Sequence, residues 1–497
     1  MAKRWTVISS LNNHGVVVQK GRNLDSPQTI DSLALGAIVE ELSLVGDRLE
    51  FKLVSGIGPD RGWVSIGDAG RRVMVPEASA TYFLPSFETK EGPSSLSSGE
   101  RSFFDTSCLT GGKSCTGFVN AQDAHGNQTN VFFWYAMASQ PQFLLILCAG
   151  GPGAASSTHM LNFGPRTLSK DGGLVPNEAA LTSVGISVLF FDVHAHVGFS
   201  SSPIKPSLFP YSDSSYAETA ADAILQFLRR GIIAQISVVL GGESYGTKHA
   251  TMVAAQLLER QPEFPLHAVI LQNALLDRVA VAFGWSLAYQ RFFADDMSVC
   301  ERLKASDLDS LHLQASVACK EKRYADGTRI LEQMWNVTQA ITEAKNQHDL
   351  APSGRYMTGF EDGTAFNALG KVGMFMKSSW KELGSQKSTF NTFLPAVFSA
   401  YDRTCRMADA TEDLRSLISK NIRILVLTGE WDGMVTIEGT TSWLEHNFRG
   451  AWTSLEVDSA SLSPASVEIL GNSSFVHAVF SDASHQIFFD QPQRFRP

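Results

Sequence analysis

Short runs of apolar residues, separated by segments with helical spacing, dominate the second half of the chain. A run that is apolar throughout indicates a strand buried on both faces, as in a parallel sheet covered by helices. Helices are predicted over 216–228 and 249–258, between such runs. The predicted strands are 143–147, 186–191, 236–240, 268–271, 422–427 and 476–480. This alternation predicts an α/β fold with a parallel sheet.

The first 75 residues have a different pattern, with shorter strands between turn-forming residues. The predicted strands are 14–19, 37–44, 48–54 and 62–66. They predict a small all-β barrel over residues 1–75. Residues 91–100 are rich in Gly, Pro and Ser, so a linker is predicted over 76–103.

A second domain is therefore predicted over 104–497. It opens with a β-hairpin, whose strands at 117–120 and 131–135 flank a turn at 123–127. No buried strand is predicted over about 278–366, where stretches such as 328–345 have helical spacing. An insertion of this size between sheet strands usually forms a cap over the site.

Charge, the length of apolar stretches and the number of cysteines each bear on the kind of protein this is. The net charge is −9 and the sequence pI is about 5.8, with no basic stripe, so a nucleic-acid partner is not expected. No apolar stretch approaches the length of a membrane span, and the first residues lack the apolar core of a signal peptide. Six cysteines in 497 residues fit reduced thiols, although Cys108 and Cys115 are close enough to pair. We expect a cytoplasmic protein without a membrane anchor.

The candidate nucleophile is Ser244, in the sequence Gly242-Glu243-Ser244-Tyr245-Gly246. A predicted strand precedes it and a predicted helix follows it. Glycines on both sides of a serine at a strand-to-helix turn let neighbouring backbone approach closely and lift the hydroxyl out of the sheet. Gly-x-Ser-x-Gly also occurs by chance, and its position between strand and helix favours the catalytic interpretation.

Partners for this serine lie at the ends of later predicted strands. Asp432 follows the strand at 422–427, and His485 follows the strand at 476–480. Taken singly, Asp432 could be a solvated loop acid and His485 is one of 12 histidines. Together they give the chain order Ser, Asp, His, which is that of α/β-hydrolases. His194 and His196 have no third ligand with suitable spacing, so no metal site is expected.

These residues together resemble the serine carboxypeptidase family, over about residues 115–497. The resembling segments are the oxyanion loop at 149–156, the segment at 192–200, the elbow at 242–245, the segment at 272–277, the acid loop at 429–435 with Gly439 and Trp443, and Ser484-His485 with Asp490-Gln491-Pro492. Prolyl aminopeptidase-like hydrolases share Gly-Gly-Pro-Gly, but Asp-Gln-Pro after the histidine favours the carboxypeptidases. The resemblance implies an α/β-hydrolase fold with a helical cap.

The resemblance also implies roles for further residues. The backbone NH groups of Gly151 and Tyr245 would form the oxyanion hole. In the family, an asparagine, the elbow glutamate and a second acid hold the substrate's C-terminal carboxylate; the corresponding residues here are Ala149, Glu243 and Asn162. Because two of the three differ, we expect a smaller preference for free C-terminal acids over amides or esters than family members have.

The predicted function is a serine-type carboxypeptidase that acts on a peptide or small ester substrate through an acyl-enzyme, with no cofactor. Two alternatives stay open: an esterase or acyltransferase with the same triad, and a non-catalytic scaffold. The N-terminal strands resemble bacterial-type SH3-like domains. That resemblance implies either a binding module for a protein partner or a stabilising appendage.

Overall fold

The computed structural model describes most of the chain. The described residues are 3–7, 16–29, 33, 37–55, 59–68, 71–72, 74–76, 114–168, 174–229, 236–343, 350, 373–378, 389–448, 452–455, 465–470, 474–481 and 483–487. The predicted linker over 76–103 lies almost entirely outside them. So do Cys108 and the Asp490-Gln491-Pro492 segment.

The chain divides into two compact units, 1–96 with 227–236, and 97–226 with 237–497. The first unit contains a five-stranded antiparallel sheet in the order β4-β3-β2-β1-β7. Its strands are β1 Arg4–Val7, β2 Ile38–Val45, β3 Arg48–Ser55, β4 Arg61–Ser65 and β7 Met74–Pro76. Gly67–Asp68 (β5) and Arg71–Arg72 (β6) form a separate short ribbon.

The N-terminal sheet confirms an all-β unit, with strands at 38–45, 48–55 and 61–65 close to their predicted positions. The prediction over 14–19 is wrong in its described part, because Val16 and Gln19 make only isolated bridges. Strands β1 and β7 were not predicted, since each is very short. The sheet has a core of its own, which includes Trp5, Val39, Phe51 and Val64.

The second unit is organised around a ten-stranded sheet in the order β17-β18-β19-β16-β15-β14-β10-β13-β9-β8. Its strands are β8 Ser114–Gln122, β9 Gln128–Ala136, β10 Phe143–Cys148, β13 Ile186–Asp192, β14 Ser237–Glu243, β15 Leu266–Gln272, β16 Arg423–Gly429, β17 Trp452–Leu455, β18 Ala465–Leu470 and β19 Phe475–Phe480. The six central strands are parallel, as predicted. The pairs at the two edges are antiparallel, so the sheet is mixed. Arg166–Leu168 (β11) and Leu174–Pro176 (β12) form a small hairpin apart from this sheet.

Helices follow the strands along the chain. They are α1 Met160–Phe163, α2 Asp213–Arg229, α3 Tyr245–Arg260, α4 Arg278–Ala282, α5 Trp285–Phe292, α6 Met297–Lys304, α7 Leu308–Lys320, α8 Tyr324–Thr342, α9 Pro395–Thr404, α10 Thr411–Ser419 and α11 Ile437–Asn447. The predicted helices at 216–228 and 249–258 are confirmed as the central parts of α2 and α3. The antiparallel strands β17 and β18 were not predicted.

The segment predicted as a cap contains helices α4 to α8, and its described part has no strand. These helices pack around apolar side chains that include Trp285, Tyr289, Leu303, Leu311 and Leu331. The predicted helix at 328–345 is observed at 324–342, and residues 344–345 lie outside the described residues. In the part of the chain that is described, no helix combines the length and apolar character needed to cross a bilayer.

Candidate active site

Ser244 lies on the turn between β14 and α3, where the sequence predicts the nucleophile. Its φ of 53° and ψ of −125° place it in a region that non-glycine residues seldom occupy. Such strain at a turn is frequent at functional sites, where the surrounding structure holds it in place. The backbone NH of Ser244 donates to Gln272 O at the end of β15 (2.9 Å), which fixes the turn against the sheet.

Two glycines near this turn are required by close packing. A Cβ on Gly246 would lie 2.2 Å from the carbonyl oxygen of Cys148, at the end of β10. A Cβ on Gly150 would lie 2.6 Å from Glu243 O and 2.9 Å from Ser244 Cβ. Because real Cβ atoms do not approach so closely, only glycine fits at these positions. The loop after β10 therefore packs directly against the candidate nucleophile.

Asp432 and His485, which are 53 residues apart, are joined by a hydrogen bond of 2.6 Å between Asp432 Oδ2 and His485 Nδ1. Both side chains are buried. The other carboxylate oxygen of Asp432 accepts from the backbone NH groups of Met434 (2.8 Å) and Val435 (3.0 Å). The carboxylate is thus fixed at both oxygens, and it can hold the imidazole in one orientation.

The His485 loop is braced by residues at the end of β15. Asn273 Nδ2 donates to His485 O (2.6 Å), and Asn273 Oδ1 accepts from Gly429 N at the end of β16 (3.0 Å). Gln272 Nε2 also contacts His485 O (3.3 Å). Asn273 is fully buried and has a positive φ of 49°, a conformation that asparagine tolerates well. Sequence reasoning assigned no role to Asn273, because its two partners are distant in the chain.

The structure brings the Ser244 and His485 segments together at one edge of the sheet. Gln486, which follows His485, donates through Nε2 to Glu243 Oε1, in the residue before Ser244. Gln272 is hydrogen bonded to both segments. The three candidate triad residues thus lie at the carboxyl ends of β14, β16 and β19.

The predicted oxyanion loop follows β10. Gly151 has a φ of 74°, and Ala155 N donates to Thr392 O (3.0 Å). Ala149 is buried, and its NH donates to Ser156 Oγ (3.0 Å). Tyr245, whose NH is the other predicted oxyanion donor, is the first residue of α3. The loop therefore packs against both the Ser244 turn and the start of α3, since a Cβ on Gly246 would lie 2.6 Å from Ala149 O.

The residues predicted to contact the substrate carboxylate lie on three different elements. Glu243 is buried beside Ser244, and Ala149 lies at the start of the oxyanion loop. Asn162 lies on the exposed side of α1, and its carbonyl oxygen accepts from Asn177 Nδ2 (2.8 Å). The imidazole of His159 contacts Glu243, with His159 Nε2 3.3 Å from Glu243 Oε2. Sequence reasoning missed His159, because it lies 84 residues before Glu243.

A buried ion pair anchors the first turn of α3. Lys248 Nζ lies 2.6 Å from Asp213 Oδ2 and donates to Cys405 O (3.0 Å). The Tyr245 hydroxyl donates to the Asp213 carboxylate (3.0 Å), and His249 Nε2 lies 3.4 Å from it. Burial alone would raise the pKa of Asp213, but Lys248 and His249 lower it to about 2. Because this network includes the Tyr245 side chain, it helps to position the predicted oxyanion donor.

Breaking this ion pair should destabilise the protein. In Lys248→Met, Asp213 keeps its buried charge without its main partner, so the free energy of unfolding at pH 7 should fall by about 3–5 kcal/mol. The pKa of Asp213 in the folded protein is below its ordinary value of 3.8, so the pair stabilises above that pH, and the stabilisation is lost as pH falls towards 2. Urea unfolding at pH 7 and pH 3 measures both effects.

The matched control is the double variant Asp213→Asn with Lys248→Met, which removes both charges. It should recover most of the stability lost in the single variant, because no unpaired charge is left in the interior. A single variant that loses less than about 1 kcal/mol would contradict the assignment of Lys248 as the charge partner.

The two histidines after β13 have partners other than a metal. His194 Nε2 lies 3.0 Å from the Tyr401 hydroxyl, and His196 Nε2 lies 2.7 Å from Ile204 O. Burial lowers the pKa of His194 well below its ordinary value. Among the described residues, no group of three or more His, Cys, Asp or Glu side chains could hold a metal ion.

A profile of the serine carboxypeptidase family matches residues 107–496, which include the Ser244 turn, the Asp432 loop and His485. The chain belongs to the serine carboxypeptidase family. The predicted family resemblance is confirmed, and the match begins after the N-terminal all-β sheet.

Two curated relatives agree with this assignment. Serine carboxypeptidase-like 25 of Arabidopsis thaliana is 26% identical over 225 residues, which are 42% of this chain and 47% of that protein. Pheromone-processing carboxypeptidase KEX1 of Fusarium vanettenii is 22% identical over 418 residues, which are 75% of this chain and 64% of that protein. The chain thus spans about half to two thirds of the length of these relatives.

Solved structures give the fold. The prohormone-processing carboxypeptidase KEX1(delta)p from Saccharomyces cerevisiae superposes with a TM-score of 0.61 at 17% identity, and the match covers 79% of this chain and 91% of that one. The α/β-hydrolase fold predicted from the chain order of Ser244, Asp432 and His485 is therefore confirmed.

Proposed function

We propose that the protein is a serine carboxypeptidase that releases C-terminal residues from peptides. The observation that carries the proposal is the 2.6 Å hydrogen bond between His485 and Asp432, at the sheet edge where Ser244 occupies its strained turn. Membership in the serine carboxypeptidase family supports the peptide as substrate class.

The reaction would proceed through an acyl-enzyme. Ser244 Oγ attacks the carbonyl carbon of the C-terminal peptide bond, and His485 takes the hydroxyl proton. Because Nδ1 of His485 is bonded to Asp432, Nε2 is the nitrogen that accepts this proton. Asp432 then stabilises the imidazolium. The oxyanion accepts hydrogen bonds from the NH groups of Gly151 and Tyr245.

The second half of the reaction reverses the proton transfers. His485 gives its proton to the leaving amine, and the C-terminal amino acid departs. A water molecule then loses a proton to His485 and attacks the acyl group on Ser244. The shortened peptide leaves, and the serine regains its proton. No step requires a cofactor.

Three matched substrates and a covalent probe test the proposal. The purified protein is assayed with an N-blocked dipeptide bearing a free carboxylate, with its C-terminal amide and with its C-terminal ester, and Ser244 is labelled with a fluorophosphonate. Release of the C-terminal amino acid from the first substrate supports a carboxypeptidase. Cleavage of the ester alone identifies an esterase or acyltransferase, and absence of labelling identifies a non-catalytic scaffold.

We also propose that the N-terminal unit is a binding module for a protein partner, with an SH3-like barrel. Two observations support this. The unit has a sheet and core of its own, and it exposes apolar side chains, with Leu24 72% exposed. The predicted domain boundaries at about 75 and 104 are part of this proposal.

Removal of residues 1–90 is expected to leave hydrolysis of the blocked dipeptide within about threefold of the full chain. The reason is that Ser244, Asp432 and His485 all follow strands of the second unit's sheet, and the N-terminal unit has a core of its own, so each unit can in principle fold alone. Steady-state kinetics of both proteins measure the effect. A truncated protein that unfolds like the full chain but is inactive would show that the N-terminal unit supports catalysis.

A further inference from the structure

Helix α5, in the segment predicted as a cap, lies against the acid loop, which carries Asp432. Trp285, the first residue of α5, donates through its indole Nε1 to Met434 O (2.9 Å). Arg291, near the end of the helix, donates to Glu430 O (3.2 Å). The helix therefore contacts the loop on both sides of Asp432, and none of these contacts takes part in the proposed reaction.

The packing between α5 and this loop is close enough to require glycine. A Cβ on Gly433 would lie 2.9 Å from the Tyr289 hydroxyl, which is fully buried. A Cβ on Gly284, which precedes Trp285, would lie 2.1 Å from the backbone nitrogen of Gly439, in the first turn of α11. Because real Cβ atoms do not approach so closely, the helix meets the backbone directly at both places. The position of α5 is thus fixed relative to the acid loop.

A single peptide group connects Trp285 to the Asp432 carboxylate. Its carbonyl oxygen is Met434 O, which accepts from the indole. Its NH is that of Val435, which donates to Asp432 Oδ1 (3.0 Å). Donation to the carbonyl of a peptide strengthens donation by its NH, because hydrogen bonds in a chain polarise one another. The indole is thus linked to the carboxylate by two consecutive hydrogen bonds.

These groups are shielded from water. Trp285 is 4% exposed, and both Asp432 and Val435 are fully buried. Among the described residues, Met434 O accepts from no donor other than the indole. In such surroundings a hydrogen bond is stronger than in water, and leaving one unmade is costly. The indole NH is therefore well placed to hold this peptide group in one orientation.

We propose that Trp285 is a positioning residue for Asp432, so that a helix of the cap segment supports the triad. This inference rests on the proposed function, in which Asp432 orients His485. The 2.6 Å bond between His485 Nδ1 and Asp432 Oδ2 depends on the direction of the carboxylate. The NH groups of Met434 and Val435 set that direction, and Trp285 holds the peptide group between them.

The first test removes the indole NH and measures two rates. Trp285→Phe should lower kcat for the blocked dipeptide by about 5–50-fold and leave KM within about threefold, because it loosens the imidazole and leaves substrate binding unchanged. Labelling of Ser244 by a fluorophosphonate should slow by a similar factor, since His485 must take the same proton. Labelling needs no peptide, so it tests Trp285 separately from the substrate class.

Two further variants separate the hydrogen bond from the packing. Trp285→benzothienylalanine replaces the indole NH with sulfur and keeps the size of the ring. It should slow labelling and turnover as Trp285→Phe does, with a smaller loss of thermal stability. Trp335→Phe is the matched control, because Trp335 on α8 packs against the same apolar cluster and has no hydrogen bond to the acid loop among the described residues. It should keep both rates within about twofold of native.

A double variant shows whether Trp285 acts through Asp432. In Asp432→Asn the imidazole has already lost its productive orientation, so adding Trp285→Phe should slow labelling by less than about twofold further. A residue that only supported the fold would slow it by the same factor in both backgrounds. The proton NMR signal of His485 Nδ1–H, which a short bond to a carboxylate moves to low field, should broaden or shift in the Trp285 variants and stay unchanged in Trp335→Phe.

Each outcome decides the inference. Native kcat and labelling in both Trp285 variants, or equal losses in the native and Asp432→Asn backgrounds, overturn it and leave the carboxypeptidase function intact. A native protein that is labelled but cleaves no peptide overturns the carboxypeptidase function, while the labelling rates of the variants still decide the role of Trp285. A native protein that is not labelled overturns both. If thermal unfolding shows that Trp285→Phe has lost its fold, the benzothienylalanine variant decides.

Discussion

Replacing Ser244 with alanine should abolish labelling by a fluorophosphonate and lower kcat by roughly 10³- to 10⁶-fold. In the proposed mechanism the hydroxyl oxygen forms the acyl-enzyme bond, and alanine has no oxygen to replace it. Alanine at this position adopts the same φ of 53° with no larger side chain, so the packing of the turn is retained. Active-site labelling and steady-state hydrolysis of the blocked dipeptide measure the two effects.

The matched control is Ser310→Ala, which changes an exposed serine on α7. It should keep labelling and turnover within about twofold of the native protein, because it touches neither the sheet edge nor the loop that packs against it. Normal turnover in Ser244→Ala would rule out the acyl-enzyme mechanism.

Asp432→Asn is expected to lower kcat by roughly 10³- to 10⁴-fold, with little loss of stability. The backbone NH groups of Met434 and Val435 require an acceptor, so the amide oxygen of the asparagine should face them. The amide NH₂ then faces His485 Nδ1 and can only donate to it. Because Nδ1 must accept, the proton of the neutral imidazole moves to Nε2, which can no longer take the proton of Ser244.

Kinetics and thermal unfolding of Asp432→Asn measure these effects. Asp309→Asn, at an exposed position in the first turn of α7, is the matched control and should have native activity. If Asp432→Asn kept more than about a tenth of native kcat, the carboxylate would not be the group that orients His485.

The braced geometry explains why both substitutions should act on kcat more than on the fold. The backbones of the acid loop and the histidine loop are bonded to each other, since Trp431 N donates to Ala483 O (2.9 Å). Asn273 adds a side-chain clamp between Gly429 and His485. The loops are thus positioned by groups that neither substitution removes. A site held by such surrounding contacts keeps its geometry when one reacting group is changed.

The sequence by itself determined the central sheet and the candidate triad. Strands such as 143–147 and 186–191 are recognisable because burial on both faces requires continuous apolar residues. Ser244 is recognisable because its tight turn requires nearby glycines on both sides. Asp432 and His485 are recognisable because each comes shortly after a predicted apolar strand. Each of these requirements acts on residues close together in the chain, so it can be recognised from a short stretch of sequence.

Only the tertiary structure decided which side chains meet. His159 reaches Glu243 across 84 residues, and Asn273 reaches His485 across 212 residues. Such contacts depend on how the strands are ordered in the sheet, and no spacing along the chain encodes them. The edge strand β17 and its neighbour β18 also escaped prediction, because neither has the continuous apolar pattern of the buried parallel strands. The sequence therefore located the candidate reacting groups, while the fold assembled the residues that hold them in position.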